Sequence, residues 1–324
     1  MRASVVGFSY GFRPGRKAHD ALGALWEGIM GRRKVSWVLD MDIRDFFGTI
    51  SHQWMLRFLE HRIADPRILR LVRKWLRAGV SEEGEWSRTE VGTPQGAVIS
   101  LLLANVYLHY VLDEWVWRQT QATGDVIIVR YADDAVMGFQ HRYEGERFLK
   151  ELTKRMKAFG LALHPEKTRL IEFGRFAGEN RSRRGEGKPE TFDFLGFTHI
   201  CGKIRGTGGF VVKRVTIAKR MRNKLRSVKE SLMRMRHAPI VFQGRWVRSL
   251  VQGYMNYHAM RGNLQRMQQF RKEVARHWLQ ALRRRSQRHR ITWEFFTVIL
   301  DYWIPQPRVL VLCPDARFYA RYPR

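Results

Sequence analysis

Three carboxylates frame the chemistry open to this chain. Asp133 and Asp134 are adjacent in IIVRYADDAVMGF, with β-branched and apolar residues on both sides, and Asp42 follows a second apolar run, WVLDM. Two neighbouring anions between buried strands are costly unless something positive offsets them. An isolated Asp-Asp pair is satisfied as a hairpin turn or a helix cap. A cap, however, requires neither apolar strands on both sides nor a second acidic strand upstream. Hard carboxylate oxygens gathered at strand ends suit Mg2+. Two such ions about 4 Å apart clamp the attacking and leaving oxygens of an in-line phosphoryl transfer. If the two strands are neighbours, Asp42 and Asp133 converge and the expected chemistry is metal-dependent phosphoryl transfer.

The charge balance names the kind of substrate. The 324 residues hold 59 Lys+Arg against 30 Asp+Glu, a formal net charge of +29. Such an excess points to a polyanion, most simply nucleic acid. The blander readings are a solvated basic surface or a ribosome-associated structural protein. Cys201 and Cys313 are far apart and lack metal-ligand spacing. That argues against a zinc site or a disulfide scaffold and fits a reducing, cytoplasmic setting. No signal peptide is recognisable at the start. The most apolar stretch, 97–117, is interrupted by Ser100, Asn105, His109, Asp113 and Glu114, so it reads as a core helix and not a membrane span.

The elements that must position the acids follow from pattern. KVSWVLDMDI is a strand ending in acid, and DVIIVRYADDAVMGF is a hairpin. SHQWMLRFLEHRI and PRILRLVRKWLRAGV are helices, the second with Pro66 in its first turn. EWSRTEVGTPQGAVIS is strand, turn and the start of a long helix reaching about Gln119. GERFLKELTKRMKAFG is a helix stopped by Gly160. TRLIEFGRF and FDFLGFTHI read as strands, with the polar AGENRSRRGEGKPE as a loop between them. Irregular alternation with at least one antiparallel pair predicts an α+β fold.

Composition shifts near Val211. Ile217, Met221, Leu225, Val228, Leu232 and Met235 form one apolar helix face, while Lys219, Arg220, Arg222, Lys224, Arg226 and Lys229 occupy the others. Two further helical segments, near 241–260 and 264–285, complete a small bundle with a basic exterior. The tail DYWIPQPRVLVLCPDARFYARYPR has too many prolines for a helix. Trp246, Tyr254, Tyr257, His258 and Trp278 have two readings, the bundle's core or stacking on unpaired bases. Arg283, Arg284 and Arg285 are adjacent and cannot all be buried.

The ordered series YGFRPGRKAHDAL, DIRDFFGTI, GTPQGAVIS with LLANVYL, YADD, LHPEKT and FDFLGF resembles the reverse transcriptases encoded by bacterial group II introns. No single motif is decisive; all six in order are. The resemblance implies a right-hand polymerase palm, an antiparallel sheet with packed helices, in a reverse transcriptase domain with partial fingers over 1–210. It further implies an α-helical thumb/maturase domain over 211–292 and a C-terminal extension over 293–324, as in members without an endonuclease domain. Retron and diversity-generating relatives are a weaker match, because they lack the maturase-like helices.

By the same resemblance, Asp42 and Asp133 are the principal ligands of two Mg2+ ions, for which Mn2+ can substitute. Asp134 is the third, more peripheral carboxylate, and the Ile43 carbonyl is a further ligand. Phe47 matches the aromatic that stacks under the incoming sugar and rejects a 2′-hydroxyl; taken alone it is equally a core residue beside Phe46. Gln95 matches the nucleotide-contacting glutamine. Lys167 matches the lysine near the pyrophosphate leaving group, and alone reads as a solvated helix-end lysine. Arg13 and Arg16 match contacts to template phosphates or the triphosphate, with a surface loop as the alternative. Lys219, Arg222, Arg226, Lys229, Arg283, Arg284 and Arg285 are the expected RNA-binding residues.

The implied function is RNA-directed DNA polymerisation with maturase activity that aids intron splicing and mobility. The implied partners are group II intron RNA, an RNA template with a DNA primer, and deoxynucleoside triphosphates, with no membrane. Three departures bear on it. The family carries a long fingers-forming stretch before YGFRPGR, so the expectation is an N-terminally truncated chain, weak in synthesis alone or completed by a separate polypeptide. The alternative function is then a remnant acting only as an RNA-binding splicing factor. Gly48 stands where the family usually has Asp, and Leu101 where Pro is usual.

Overall fold

The computed structural model describes residues 7–31, 35–77, 80–82, 85–87, 92–93, 98–123, 126–285 and 291–311. Its contacts divide the chain into two compact units, residues 1–190 with 203–211, and residues 191–202 with 212–324. The first unit runs α1 (Ala18–Met30), β1 (Trp37–Met41), α2 (Phe46–Thr49), α3 (His52–Glu60), α4 (Pro66–Arg77), β2 (Val80–Glu82), β3 (Glu85–Ser87) and α5 (Val98–Leu108). After a π-helical turn, His109–Asp113, come α6 (Glu114–Thr123), β4 (Ile127–Tyr131), β5 (Asp134–Phe139), α7 (Arg142–Ala158), β6 (Arg169–Glu172) and α8 (Ala177–Arg183).

Its centre is a four-stranded sheet in the order β4-β5-β1-β6, with every pairing antiparallel. β5 reads eBBBBB in burial, so both faces of this strand are covered apart from its acidic first residue. That is why VIIVRY and AVMGF are continuous apolar runs and do not alternate. Leu39, Met41, Ile128, Ala135, Met137 and Phe139 meet Tyr107, Leu108, Val111, Leu112, Phe148, Leu152 and Met156 in one apolar core. Helices α5 and α7 thereby hold the strand ends that carry Asp42 and the acidic pair.

The second unit holds β7 (Phe192–Phe194), β8 (Phe197–Lys203), β9 (Phe210–Thr216), α9 (Ala218–Arg234), α10 (Ile240–His258), α11 (Leu264–Arg283) and α12 (Trp293–Trp303), with the loop 203–211 assigned to the first unit. β7, β8 and β9 form a three-stranded sheet. Met221, Leu225, Val228 and Leu232 of α9 lie against Val247, Val251 and Met255 of α10 and Phe270, Val274 and Trp278 of α11. The predicted apolar row is therefore the face that packs. α+β describes the architecture: antiparallel sheets with packed helices, followed by a helical bundle.

Four local expectations change. FDFLGFTHI is not one strand but the β7–β8 hairpin, because Leu195 (φ 47°) and Gly196 (φ 84°) supply the left-handed pair that a two-residue turn needs. AGENRSRRGEGKPE contains α8, whose i,i+4 pair Arg183–Glu179 at 2.5 Å supports a helix turn. The long helix after GTPQG is broken by the π turn at His109–Asp113. The tail is helical through Asp301, Tyr302 and Trp303, with the Thr292 hydroxyl accepting from Phe295 N as N-cap. Prolines exclude helix only from Pro305 to the last described residue. No helix among the described residues is long and apolar enough to cross a membrane.

Candidate active site

β1 and β5 pair in register up to Met41↔Ala135, and β4 closes on β5 at Tyr131↔Asp134. Ala132 and Asp133 are therefore the two-residue turn of a tight hairpin. Asp42 lies one residue beyond the last β1–β5 pair, alongside that tip. Ala132 takes φ 56°, a left-handed conformation that costs free energy in any residue with a Cβ. Something must hold it there.

The holder is Arg130, one strand position before Tyr131. Its side chain is fully buried and so is that of its partner Asp113. Nε donates to Asp113 Oδ1 at 2.6 Å and Nη2 to Asp113 Oδ2 at 2.5 Å, a bidentate pair. Nη2 also donates to Ser9 Oγ at 2.8 Å, and Nη1 to Asn105 Oδ1 at 3.1 Å. The fifth N–H, on Nη1, donates to the carbonyl of Ala132 at 2.6 Å. All five guanidinium donors are used, as a buried arginine requires. Burial, the largest single influence, pushes the Asp113 carboxyl up, but the charge and hydrogen bonds of Arg130, with His109 and Arg13, together outweigh it and leave Asp113 below its ordinary value.

The loop around YGFRPGR closes the edge of this hairpin. Arg130 N donates to Phe8 O at 2.9 Å and Tyr10 N to Arg130 O at 2.8 Å, so residues 8–10 extend the sheet beside β4. A Cβ on Gly11 would lie 2.3 Å from Ala132 N, so only glycine lets this loop rest on the tip. Asn105 Nδ2 anchors the Gly11 carbonyl at 3.2 Å.

The LHPEKT segment is strapped beside Asp42. His164 N donates to Asp42 O and Arg44 N to Ala162 O, each at 2.8 Å. Thr168 Oγ1 lies 3.1 Å from Asp42 O and 3.3 Å from Asp42 N. Ile43 forms an isolated bridge with Leu163, but its bonds are made by Asp42 and Arg44. In that pattern the peptide groups of Ile43 face the opposite edge, the side on which β5 runs. Lys167 Nζ sits 3.1 Å from Asp42 Oδ2, with the two side chains 61% and 38% exposed.

Asp42 and Asp133 are half-buried and Asp134 is exposed. Among the described residues no three His, Cys, Asp or Glu side chains converge on a common point for an ion; the Asp42 carboxylate faces Lys167. Carboxylate and backbone carbonyl oxygens, the donor types at these strand ends, are by their chemistry those of a hard divalent cation. Phe47 is half-buried, its ring 5.4 Å from Phe46, and its carbonyl accepts from Thr93 N at 2.8 Å. That bond ties the start of GTPQG to α2. Gln95 lies outside the described residues. A Cβ on Gly48 would lie 2.3 Å from Asp45 Oδ2, so an Asp there would crowd a second acid onto Asp45. Leu101 lies in the first half of α5 and gives its carbonyl to Asn105 Nδ2 at 3.3 Å.

Arg13 and Arg16 are engaged within their own loop. Arg13 Nε donates to Ser9 Oγ at 3.0 Å and its Nη2 lies 3.5 Å from Asp113 Oδ2. Burial lowers its pKa, with the neighbouring Arg130 adding to the effect. Arg16 donates to Gly7 O at 2.7 Å and Ser9 O at 2.6 Å, and lies over the Tyr10 ring at 5.1 Å. In the second unit Lys219, Arg222, Arg226 and Lys229 are exposed along one row of α9. Arg283 and Arg284 are exposed, with Arg283 Nε on Ile291 O at 2.8 Å. Arg285 is half-buried and donates to the carbonyls of Arg236 and Ala238. Trp278 is core: it is fully buried and donates to Gln243 Oε1 at 2.8 Å.

The Arg130–Asp113 network is the part that motif reading missed. Its signal lay in Asn105, His109 and Asp113, polar residues four apart in an otherwise apolar helical stretch. Such a row marks a face turned toward a buried polar partner.

Residues 3–199 match the family model described as reverse transcriptase (RNA-dependent DNA polymerase). The chain belongs to that family, and its four-stranded antiparallel sheet with packed helices is the corresponding palm. It is 41% identical over 108 residues to the "Uncharacterized 91 kDa protein in cob intron" of Schizosaccharomyces pombe, covering 33% of this chain and 13% of that protein. It is 39% identical over 108 residues to the "Group II intron-encoded protein LtrA" of Lactococcus lactis subsp. cremoris, covering 33% and 17%. "Protein YkfC" of Escherichia coli is 32% identical over 158 residues, covering 40% and 42%. The alignments thus span less than half the length of each of these relatives.

Proposed function

We propose that this chain carries out RNA-directed DNA synthesis as the palm-bearing part of a group II intron-encoded protein, and grips intron RNA through its helical unit to aid splicing and mobility. The observation that carries the first half is the strand register, which sets Asp42 beside the Ala132–Asp133 tip. The family match and the intron-encoded relatives support the same reading. We assign residues 1–210 to the reverse transcriptase domain, 211–292 to the thumb/maturase domain and 293–324 to a C-terminal extension.

Asp42, Asp133 and the Ile43 carbonyl would hold two divalent cations, Mg2+ or Mn2+, with Asp134 at the periphery. Bound there, the metal stabilises charge on the attacking and leaving oxygens. The protein's own residues position and protonate. Arg130 and Gly11 fix the tip, Lys167 stands as a proton donor beside Asp42 for the departing pyrophosphate, Phe47 lies under the sugar and Gln95 contacts the nucleotide. The expected substrates are deoxynucleoside triphosphates and an RNA template with a DNA primer. A cytoplasmic setting is inferred from the nucleic-acid partner and from two cysteines far apart in the sequence without metal-ligand spacing.

Primer extension on a defined RNA template tests this. Synthesis should require Mg2+ or Mn2+ and vanish in Asp133→Ala, with a smaller loss in Asp134→Ala. Extension unchanged by Asp133→Ala would refute it. A second reading, RNA binding and splicing assistance without synthesis, draws on the exposed basic row of α9, which is independent of the acids. In that case Asp133→Ala binds intron RNA with the wild-type salt dependence and neither protein extends a primer.

A further inference from the structure

Helix α10 contains two glycines at inward and outward positions, and only one has a packing reason. A Cβ on Gly244 would lie 2.3 Å from the indole of Trp303, so α12 requires glycine there. A Cβ on Gly253 would meet nothing within 4 Å. Glycine in an open helix interior is destabilising relative to alanine, and nothing in the fold explains it here.

Gly253 interrupts a row on one helix face, Trp246, Leu250, Gly253 and Tyr257, at steps of four, three and four. The gap opens into a cavity of about 440 Å³ lined by these four together with Lys224, Ser249, Tyr254 and His258. That volume is within the usual range of small-ligand sites. The Tyr257 ring is a fixed wall: its hydroxyl donates to Leu195 O at 2.9 Å and its ring stacks on Phe197 at 5.9 Å. The Tyr254 ring is braced by Phe270 at 3.8 Å. Burial pushes the Tyr254 hydroxyl up to about 12, so no phenolate forms in the cavity at neutral pH. Lys224, exposed on α9, is the one lysine or arginine among the lining residues, and His258 also lines the cavity. Aromatic walls with a lysine in the lining match a base and its phosphate better than they match an acidic peptide or an apolar helix.

We propose that this notch receives one unpaired nucleobase of a bound RNA, with the ring against Tyr257 in the space that Gly253 leaves and the adjoining phosphate on Lys224. The inference rests on the reading of the helical unit as an RNA binder and adds a base-sized site to it. The missing side chain at position 253 is what leaves room for the ring.

The test uses the full chain and two RNA hairpins that differ at one position, where 2-aminopurine is either bulged or paired. The bulged hairpin should bind about tenfold more tightly, by the usual strength of base–aromatic stacking, and its fluorescence should be quenched on binding. Gly253→Leu fills the notch; it should abolish the preference and leave affinity for the paired hairpin unchanged. Gly253→Ala should raise Tm by a few degrees while weakening the preference, which separates loss of the site from loss of the fold. Equal binding of both hairpins by the wild type overturns the notch alone. Failure to bind either overturns the RNA-binding reading with it. Micromolar binding of free AMP that is lost in Gly253→Leu, without a hairpin preference, would make this a mononucleotide site and overturn the RNA assignment.

Discussion

Two ion pairs flank the acidic tip, and they are built in opposite ways. Asp113–Arg130 is fully buried, bidentate and uses every guanidinium donor. Asp42–Lys167 is one contact of 3.1 Å between side chains that are 38% and 61% exposed. Burying both charges of the first pair carries a large desolvation cost that only complete hydrogen bonding offsets. Its product is geometric: the Ala132 carbonyl is fixed, and with it a left-handed residue beside Asp133. The second pair has little desolvation to recover and is screened by water. Its members can exchange partners, which the roles proposed for Asp42 and Lys167 require. On the proposed function, the charge that shapes the site is thus separate from the charges that would act in it.

Breaking the buried pair should have the largest effect. Asp113→Ala leaves the Arg130 charge without its partner and should cost about 3–5 kcal/mol, read as a fall in the denaturation midpoint. Replacing both partners sharpens the comparison. Asp113→Leu with Arg130→Met should recover most of that stability, since apolar substitution of a buried pair is often near neutral. Primer extension should still fall about a hundredfold, the scale expected when reacting groups are misplaced by about an ångström. Recovery of both stability and synthesis would show that the pair is structural only.

The pH response should distinguish the buried pair next. Asp113 lies below its ordinary value in the fold, so its contribution is complete above the unfolded carboxylate pKa of about 3.9 and is lost as pH falls through the depressed value. The stability difference between wild type and Asp113→Asn, from denaturant titrations, should be flat from neutral pH to about 4 and shrink below that. Lys167→Ala should show the smallest change in folding, within about 1 kcal/mol, yet lower the rate of nucleotide addition more than it raises the KM for the triphosphate. A variant that loses several kcal/mol would place Lys167 with the buried pair instead.

Much of this site was legible in the sequence. The hairpin and the strand ending at Asp42 were marked by local pattern and the LHPEKT segment by the family resemblance, and backbone pairing brings them together. Local pattern also gave the apolar face of α9 at its full length. What it could not give was the partner of a charge. Arg130 reads as one more strand residue, and Asp113 as an interruption of an apolar helix. Only the tertiary fold sets 113 against 130, and the π turn at 109–113 alters the helical phase on the way. The intramolecular partners of Arg13 were hidden for a related reason. An arginine in a glycine-rich loop suggests a phosphate ligand, and the sequence does not show that it also bonds Ser9 and Asp113. Helix α12 was hidden by its exposed apolar residues, Phe295, Val298 and Tyr302, which blur the amphipathic period. Its Thr292 cap was the available clue.

The central claim is that Asp42 and Asp133 belong to one cation site. The most direct measurement maps backbone cleavage of the full chain by Fe2+ with ascorbate and peroxide, which cuts near the bound metal. Cuts should cluster at both 41–43 and 132–134, disappear together in Asp133→Asn and be suppressed by excess Mg2+. Cuts at only one of these segments, or cuts that excess Mg2+ leaves unchanged, would contradict it.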